Sequence, residues 1–175
     1  MKLKLFLLCA SIFVVSRFAK VYKSIPETFK EIFPHGFDRK TYYLSKEQQS
    51  RIEQTLKKRG IDANISRLFI VYKDSQKLAL IETAKVRTKP ATILMVFSQK
   101  GILLSLEILR FDEPPEYKPP QKWLDYFIGF PEKTNPVDAI TGATLSSRMV
   151  KITLLKTFLI LKELNLIKHD SLDSH

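Results

Sequence analysis

The sequence predicts an α+β domain: an antiparallel, twisted sheet of about four or more strands, packed with helices and closed by a long C-terminal helix. Three observations carry this. Four apolar runs, Leu68 to Tyr72, Lys77 to Arg87, Ala91 to Ser98 and Ile102 to Phe111, follow one another through connections too short for crossover helices. An amphipathic helical pattern precedes them, and an apolar one, Leu145 to Ile167, comes last. The chain has 175 residues, 45% of them hydrophobic, which suits one domain with a real core rather than a disordered segment. Residues 17–168 are read as that single domain, 1–16 as a leader or anchor, and 169–175 as a frayed tail.

Taken in order, residues 1–16 (MKLKLFLLCASIFVVS) carry a basic start at Lys2 and Lys4, an apolar stretch from Leu5 to Val15 and small residues near Ser16. As a helix, Leu5–Val15 would span only about 16 Å against a hydrocarbon core of about 30 Å. A signal peptide is therefore the expected reading, with an uncleaved anchor as the alternative because Phe18, Ala19 and Val21 prolong the apolar character. Glu27 to Phe33 reads as a short helix ended by Pro34-His35-Gly36. Ser45 and Gln48 form a capping box for a helix running to about Arg59 and stopping at Gly60, with Ile52 and Leu56 on its inner face.

In the strand block, Lys73–Gln76 and Gln99-Lys100-Gly101 are tight turns, so the strands form a meander. Their apolar residues come in runs as well as in alternation, which implies helices on both faces of part of the sheet. Asp112 to Gln121 holds four prolines in ten residues and is expected to be a stiff extended loop without helix. Lys122 to Phe127 reads as a short helix with Trp123, Phe127 and Tyr126 facing inward. The final helix is expected to bury Val150, Leu154, Leu155, Phe158 and Leu161.

The composition closes several chemical routes. Cys9 is the only cysteine and lies in the leader, so a mature chain would have no disulfide, iron–sulfur cluster, haem attachment or thiolate metal site. His35, His169 and His175 are scattered and suggest no metal cluster. Redox chemistry, if present, must then come from a bound organic cofactor. The net charge is +11, and +9 without residues 1–16. No nucleic-acid-binding pattern accompanies it, so an anionic membrane surface or an acidic redox partner is the expected counterpart, with an unpartnered lysine-rich surface as the alternative.

The most informative run is Asp138 to Ser147, DAITGATLSS. Thr141, Gly142, Ala143, Thr144, Ser146 and Ser147 place small residues and hydroxyls before the last helix, where free N–H groups and the positive end of the macrodipole can hold a phosphate. Gly142 lacks the Cβ that would block such an approach.

The spacing Asp138-x-x-Thr141-Gly142-Ala143-Thr144 resembles the flavinylation motif of the FMN-binding domain family, whose members include flavin-carrying components of the sodium-pumping NADH:quinone reductase and of the Rnf complex. The resemblance extends from about Thr28 to Leu161. It implies FMN attached covalently to Thr144 through a phosphoester by a dedicated flavin transferase. Asp138 would serve that transfer, and Thr141, Gly142, Ala143, Leu145 and Ser146 would surround the cofactor. Val86–Pro90 and Phe111–Tyr117 also resemble segments of small exported members, which implies that Arg87, Thr88, Glu113 and Tyr117 lie near the flavin ring or ribityl chain. Ala91 departs from that branch, which often has an acid after its Lys-Pro pair. On the residues alone, Arg87 and Glu113 could instead form an ion pair on the sheet, and Tyr117 and Trp123 could be core aromatics.

The resemblance implies an extracytoplasmic electron-transfer flavoprotein, in the periplasm or on the outer face of the cytoplasmic membrane, that exchanges electrons with membrane or periplasmic partners. No nucleophile–base pair or acid–base dyad is visible, and no metal site or nucleic-acid partner is expected. Two alternatives remain: a self-contained FMN-dependent reductase, disfavoured by the lack of a nicotinamide fingerprint, and a basic, non-redox protein at a membrane surface.

Overall fold

The computed structural model describes residues 20–21, 24–131 and 144–168, and every structural statement below concerns these. The expected motif residues Asp138, Thr141, Gly142 and Ala143, the leader and the tail 169–175 lie outside them. The elements are β1 (Lys20–Val21), α1 (Ile25–Ile32), β2 (Asp38–Tyr43), α2 (Lys46–Lys58), β3 (Leu68–Lys73), β4 (Lys77–Lys85), β5 (Pro90–Ser98), β6 (Leu103–Phe111), α3 (Gln121–Asp125) and α4 (Leu145–Glu163). The class is α+β, as the pattern predicts.

One antiparallel sheet runs in the order β1-β6-β5-β4-β3-β2. The expected meander is its centre: β4 pairs with β5 over Lys77↔Ser98 to Lys85↔Pro90, and β5 with β6 over Ala91↔Phe111 to Phe97↔Leu103. Gly101, at φ +83°, closes the β5–β6 turn in a conformation that costs a residue with a Cβ. Register irregularities at Thr92/Ile93 and Val96/Phe97 mark β5–β6 as bulged.

Both faces of the sheet are covered. On one, Val71, Leu80, Ile93, Met95 and Leu106 pack with Ile52 and Leu56 of α2, Leu124 of α3, and Val150, Leu154 and Phe158 of α4. On the other, Phe29 and Phe33 of α1 meet Ala79, Leu94, Val96 and Leu109. This explains why β5 is buried almost throughout its length and reads as a continuous apolar run. The five expected α4 core positions are all fully buried. Lys156 Nζ reaches Glu82 Oε2 at 2.9 Å and ties α4 to β4, while the Gln48 amide donates to the Glu163 carbonyl at 2.7 Å and ties α4 to α2.

The two longer helices show why local chemistry is readable. Ser45 and Gln48 form both bonds of the capping box, and Gly60 at φ +71° ends α2, with Ile61 and Gly60 donating to Leu56 and Lys57. The same device appears at the end of α4 with Asn165 at φ +53°, where Leu166 and Asn165 donate to Leu161 and Lys162. Asn165 therefore stops the helix at Glu163, short of the expected Ile167.

Other expectations are corrected. The α1 helix starts at Ile25 behind the cap Ser24, before the expected Glu27. The strand from Lys77 ends at Lys85, which leaves Arg87 and Thr88 on the β4–β5 turn, closed by Val86 N–H to Lys89 O at 3.0 Å. The proline-rich loop includes a 3-10 turn, Pro115–Tyr117, because one such turn needs only i→i+3 bonds and Pro115 presets its first φ. Tyr126 faces solvent at 70% exposure, while Phe127 is buried. The edge strand β2 escapes prediction because its exposed sequence DRKTYY has no buried face to impose alternation.

Candidate functional site

Thr144 is the N-cap of α4. Its Oγ1 accepts the Ser147 N–H at 3.3 Å and lies 2.9 Å from Ser147 Oγ, and its carbonyl accepts the Arg148 N–H at 2.9 Å. The Leu145 and Ser146 amides stand ahead of that first helical bond and by position have no intrahelical acceptor. No acidic side chain occupies the first turn, so the positive end of the macrodipole is not offset there. Thr144 and Leu145 are exposed, and Ser146 is buried. A solvent-facing hydroxyl thus sits at an anion-favouring helix start.

Glu113, only 8% exposed, follows β6 and reaches back to the β4–β5 turn. Its Oε1 accepts from the Thr88 amide at 2.7 Å, the Lys89 amide at 2.9 Å and the Thr88 hydroxyl at 3.2 Å. These donors, the Thr88 amide foremost, hold the Glu113 carboxyl below its ordinary pKa. The carboxylate is therefore a clasp between the loop after β6 and the hairpin turn bearing Arg87. The neighbouring ion pair is Arg110–Asp112, at 2.8 Å.

These parts enclose one cavity of about 520 Å³, within the roughly 300–1,000 Å³ of small-molecule sites. Thr144, Leu145, Ser146 and Ser147 line it from α4, and Val86 and Arg87 from the hairpin turn. Glu113, Glu116, Tyr117, Lys118, Pro119 and Pro120 contribute from the proline-rich segment, and Trp123 from α3. Hydroxyls, helix-start amides and a guanidinium thus share a space with flat aromatic and proline surfaces. That combination suits an amphiphilic ligand with an anionic group and a planar ring.

Behind the Trp123 wall lies Lys151, 5% exposed, with Nζ 5.8 Å from the indole centroid. Burial pushes its ammonium below the ordinary lysine pKa. Its spacing with Ser147, Leu154 and Phe158 places it on the inward stripe of α4, a signal that was readable in the sequence.

Of the residues singled out above, Arg87, Glu113, Tyr117, Thr144, Leu145 and Ser146 line this one cavity. Thr88 supports Glu113 rather than lining the space. Pro119, Pro120 and Lys118 join the cavity wall without a motif that announces them, and Trp123 packs against the core, as expected, while also lining the cavity. The density of prolines was the available signal, since a rigid segment that cannot join a sheet makes a fixed wall. No helix among the described residues is long and apolar enough to cross a membrane.

Residues 88–156 match the family model for the FMN-binding domain. The match starts one residue after Arg87, includes Thr88, Glu113, Tyr117 and Thr144, and covers β5, β6, α3 and the first two-thirds of α4. Comparison with curated proteins and with solved structures finds no match.

Proposed function

We propose that this chain is a flavin-binding protein, an extracytoplasmic electron carrier with FMN esterified to Thr144; the match of residues 88–156 to the FMN-binding domain supports the flavin part of this reading. The observation that carries this reading is the meeting of Thr144 with Arg87, Tyr117 and Trp123 around one cavity. The residues present suit the cofactor. The Leu145 and Ser146 amides and the Ser147 hydroxyl are donors for a phosphate, and the Arg87 guanidinium offsets its charge. Tyr117, Trp123, Pro119 and Pro120 supply apolar surface for a ring. When bound, FMN supplies one- and two-electron redox chemistry that no side chain here provides.

The protein's part is then to hold, shield and tune. Covalent attachment at Thr144 prevents cofactor loss in a compartment where FMN is not replenished. The leader-like pattern of residues 1–16 supports export, and the net charge of +11 supports an acidic partner or an anionic membrane surface on which electrons are exchanged. Maturation requires a flavin transferase.

The test is intact-mass analysis of protein matured beside a competent flavin transferase. The wild-type chain gains the mass of FMN less one water, and the Thr144→Ala variant gains nothing. An unmodified wild-type chain, or an adduct that survives in the variant, overturns the assignment.

A further inference from the structure

Among the described residues three helices have hydroxyl N-caps, and they differ at the third helical position: in α1 the cap Ser24 donates its hydroxyl to the Glu27 carboxylate. In α2 the cap Ser45 is answered by Gln48, whose side-chain oxygen accepts the Ser45 N–H at 2.9 Å and closes a full capping box. In α4 the corresponding residue is Ser147. Its backbone N–H alone completes the cap with Thr144 Oγ1. Its hydroxyl, 2.9 Å from the same oxygen, adds a contact that capping does not require. Ser147 also lines the cavity, and its short neutral side chain brings no carboxylate next to an arriving phosphate.

We infer that Ser147 is a positioning residue for flavin attachment, acting by holding the proton of the Thr144 hydroxyl away from the attacked phosphorus. This rests on Thr144 being the attachment point. Oγ1 has one proton and two lone pairs, and the Ser147 N–H occupies one pair. When the Thr144 hydroxyl donates to Ser147 Oγ, the second pair is left open for attack. When Ser147 donates instead, both pairs are occupied and attack is blocked. The productive arrangement therefore needs Ser147 as an acceptor.

The co-reactant is a flavin dinucleotide, since an ester forms readily from a phosphoanhydride and not from a free phosphate in water. Thr144 Oγ1 bonds to the flavin-side phosphorus, the anhydride P–O bond breaks, and a nucleoside monophosphate leaves with the electron pair. The Thr144 proton passes by way of the Ser147 hydroxyl to solvent. Once Oγ1 is an ester it has no proton, so the hydrogen bond reverses and Ser147 donates to the ester or a phosphate oxygen. One hydroxyl thus serves first as acceptor and then as donor.

The experiment follows adduct formation by intact mass, with the purified full chain, a flavin transferase and flavin adenine dinucleotide. Ser147→Ala keeps the backbone cap bond and lowers the maximal attachment rate about fivefold to tenfold, the worth of one net hydrogen bond, with KM for the protein substrate unchanged. Ser147→Thr, which keeps the hydroxyl, restores the rate to within about twofold, well inside that single-bond effect. An unchanged rate in Ser147→Ala overturns the inference, and so does a loss that appears only in KM or that Ser147→Thr fails to rescue. Absence of any adduct on the wild-type chain instead overturns the assignment of Thr144 itself, so the two failures are separable. Circular dichroism of each variant shows that α4 is retained.

Discussion

Thr144 has two duties in this reading, and substitution can separate them. Thr144→Ala removes the oxygen that accepts the Ser147 N–H, so α4 loses its side-chain cap. Such losses cost about 0.5–2 kcal/mol. The bond here is long, 3.3 Å, and the residue is exposed, which places the expected cost in the lower half, about 0.5–1 kcal/mol. For a chain of this size, 1 kcal/mol lowers Tm by roughly 2–4 °C, so the expected drop is about 1–4 °C. Thr144→Asn keeps an acceptor oxygen in the same place and is as good a cap, so its Tm returns to that of wild type. Neither variant can form a phosphoester at this position. The assay is thermal unfolding followed by circular dichroism on protein made without a flavin transferase, paired with mass analysis of protein made with one. Melting of Thr144→Asn as low as that of Thr144→Ala would refute the cap argument. So would a loss above about 2 kcal/mol in the alanine variant, which exceeds what a cap supplies.

Three further outcomes follow from the geometry. Backbone donors depress the folded pKa of Glu113, so its contribution to stability is present above the unfolded carboxylate pKa and is lost as pH falls through the folded one. Tm measured from pH 7 down to pH 3 should fall more steeply for wild type than for Glu113→Gln; parallel curves would refute the clasp. Phe158 is fully buried and meets Phe130 edge-on at 5.2 Å; Phe158→Ala should cost about 3–5 kcal/mol in denaturant unfolding, and a loss under about 1 kcal/mol would show that α4 is not the central core element. Trp123 is the only tryptophan and lines the cavity, so flavin loading should quench its fluorescence, and equal emission from loaded and unloaded protein would place the flavin elsewhere.

Much of the scaffold is written in short-range chemistry. The capping box Ser45–Gln48, the stop at Gly60 and the Gly101 turn each need only a few adjacent residues, which is why they appear where the sequence predicts them. The four central strands follow from apolar runs, and the match of residues 88–156 to the FMN-binding domain was to be expected from a motif whose spacing is local. The errors have equally local causes. Asn165 was an overlooked αL residue, and β2, charged and exposed, carries no burial pattern to read.

Residue types, helix starts and the Asp138–Thr144 motif could be read from the chain because each depends on neighbours within about one turn. The cavity could not, because Arg87, Glu113, Trp123 and Thr144 are far apart along the chain and meet only when the sheet and its helices pack. The same holds for the partners of Glu113, whose carboxylate takes two amides about 25 residues upstream. Backbone donors carry no side-chain signature, so folding alone reveals which acceptor they find.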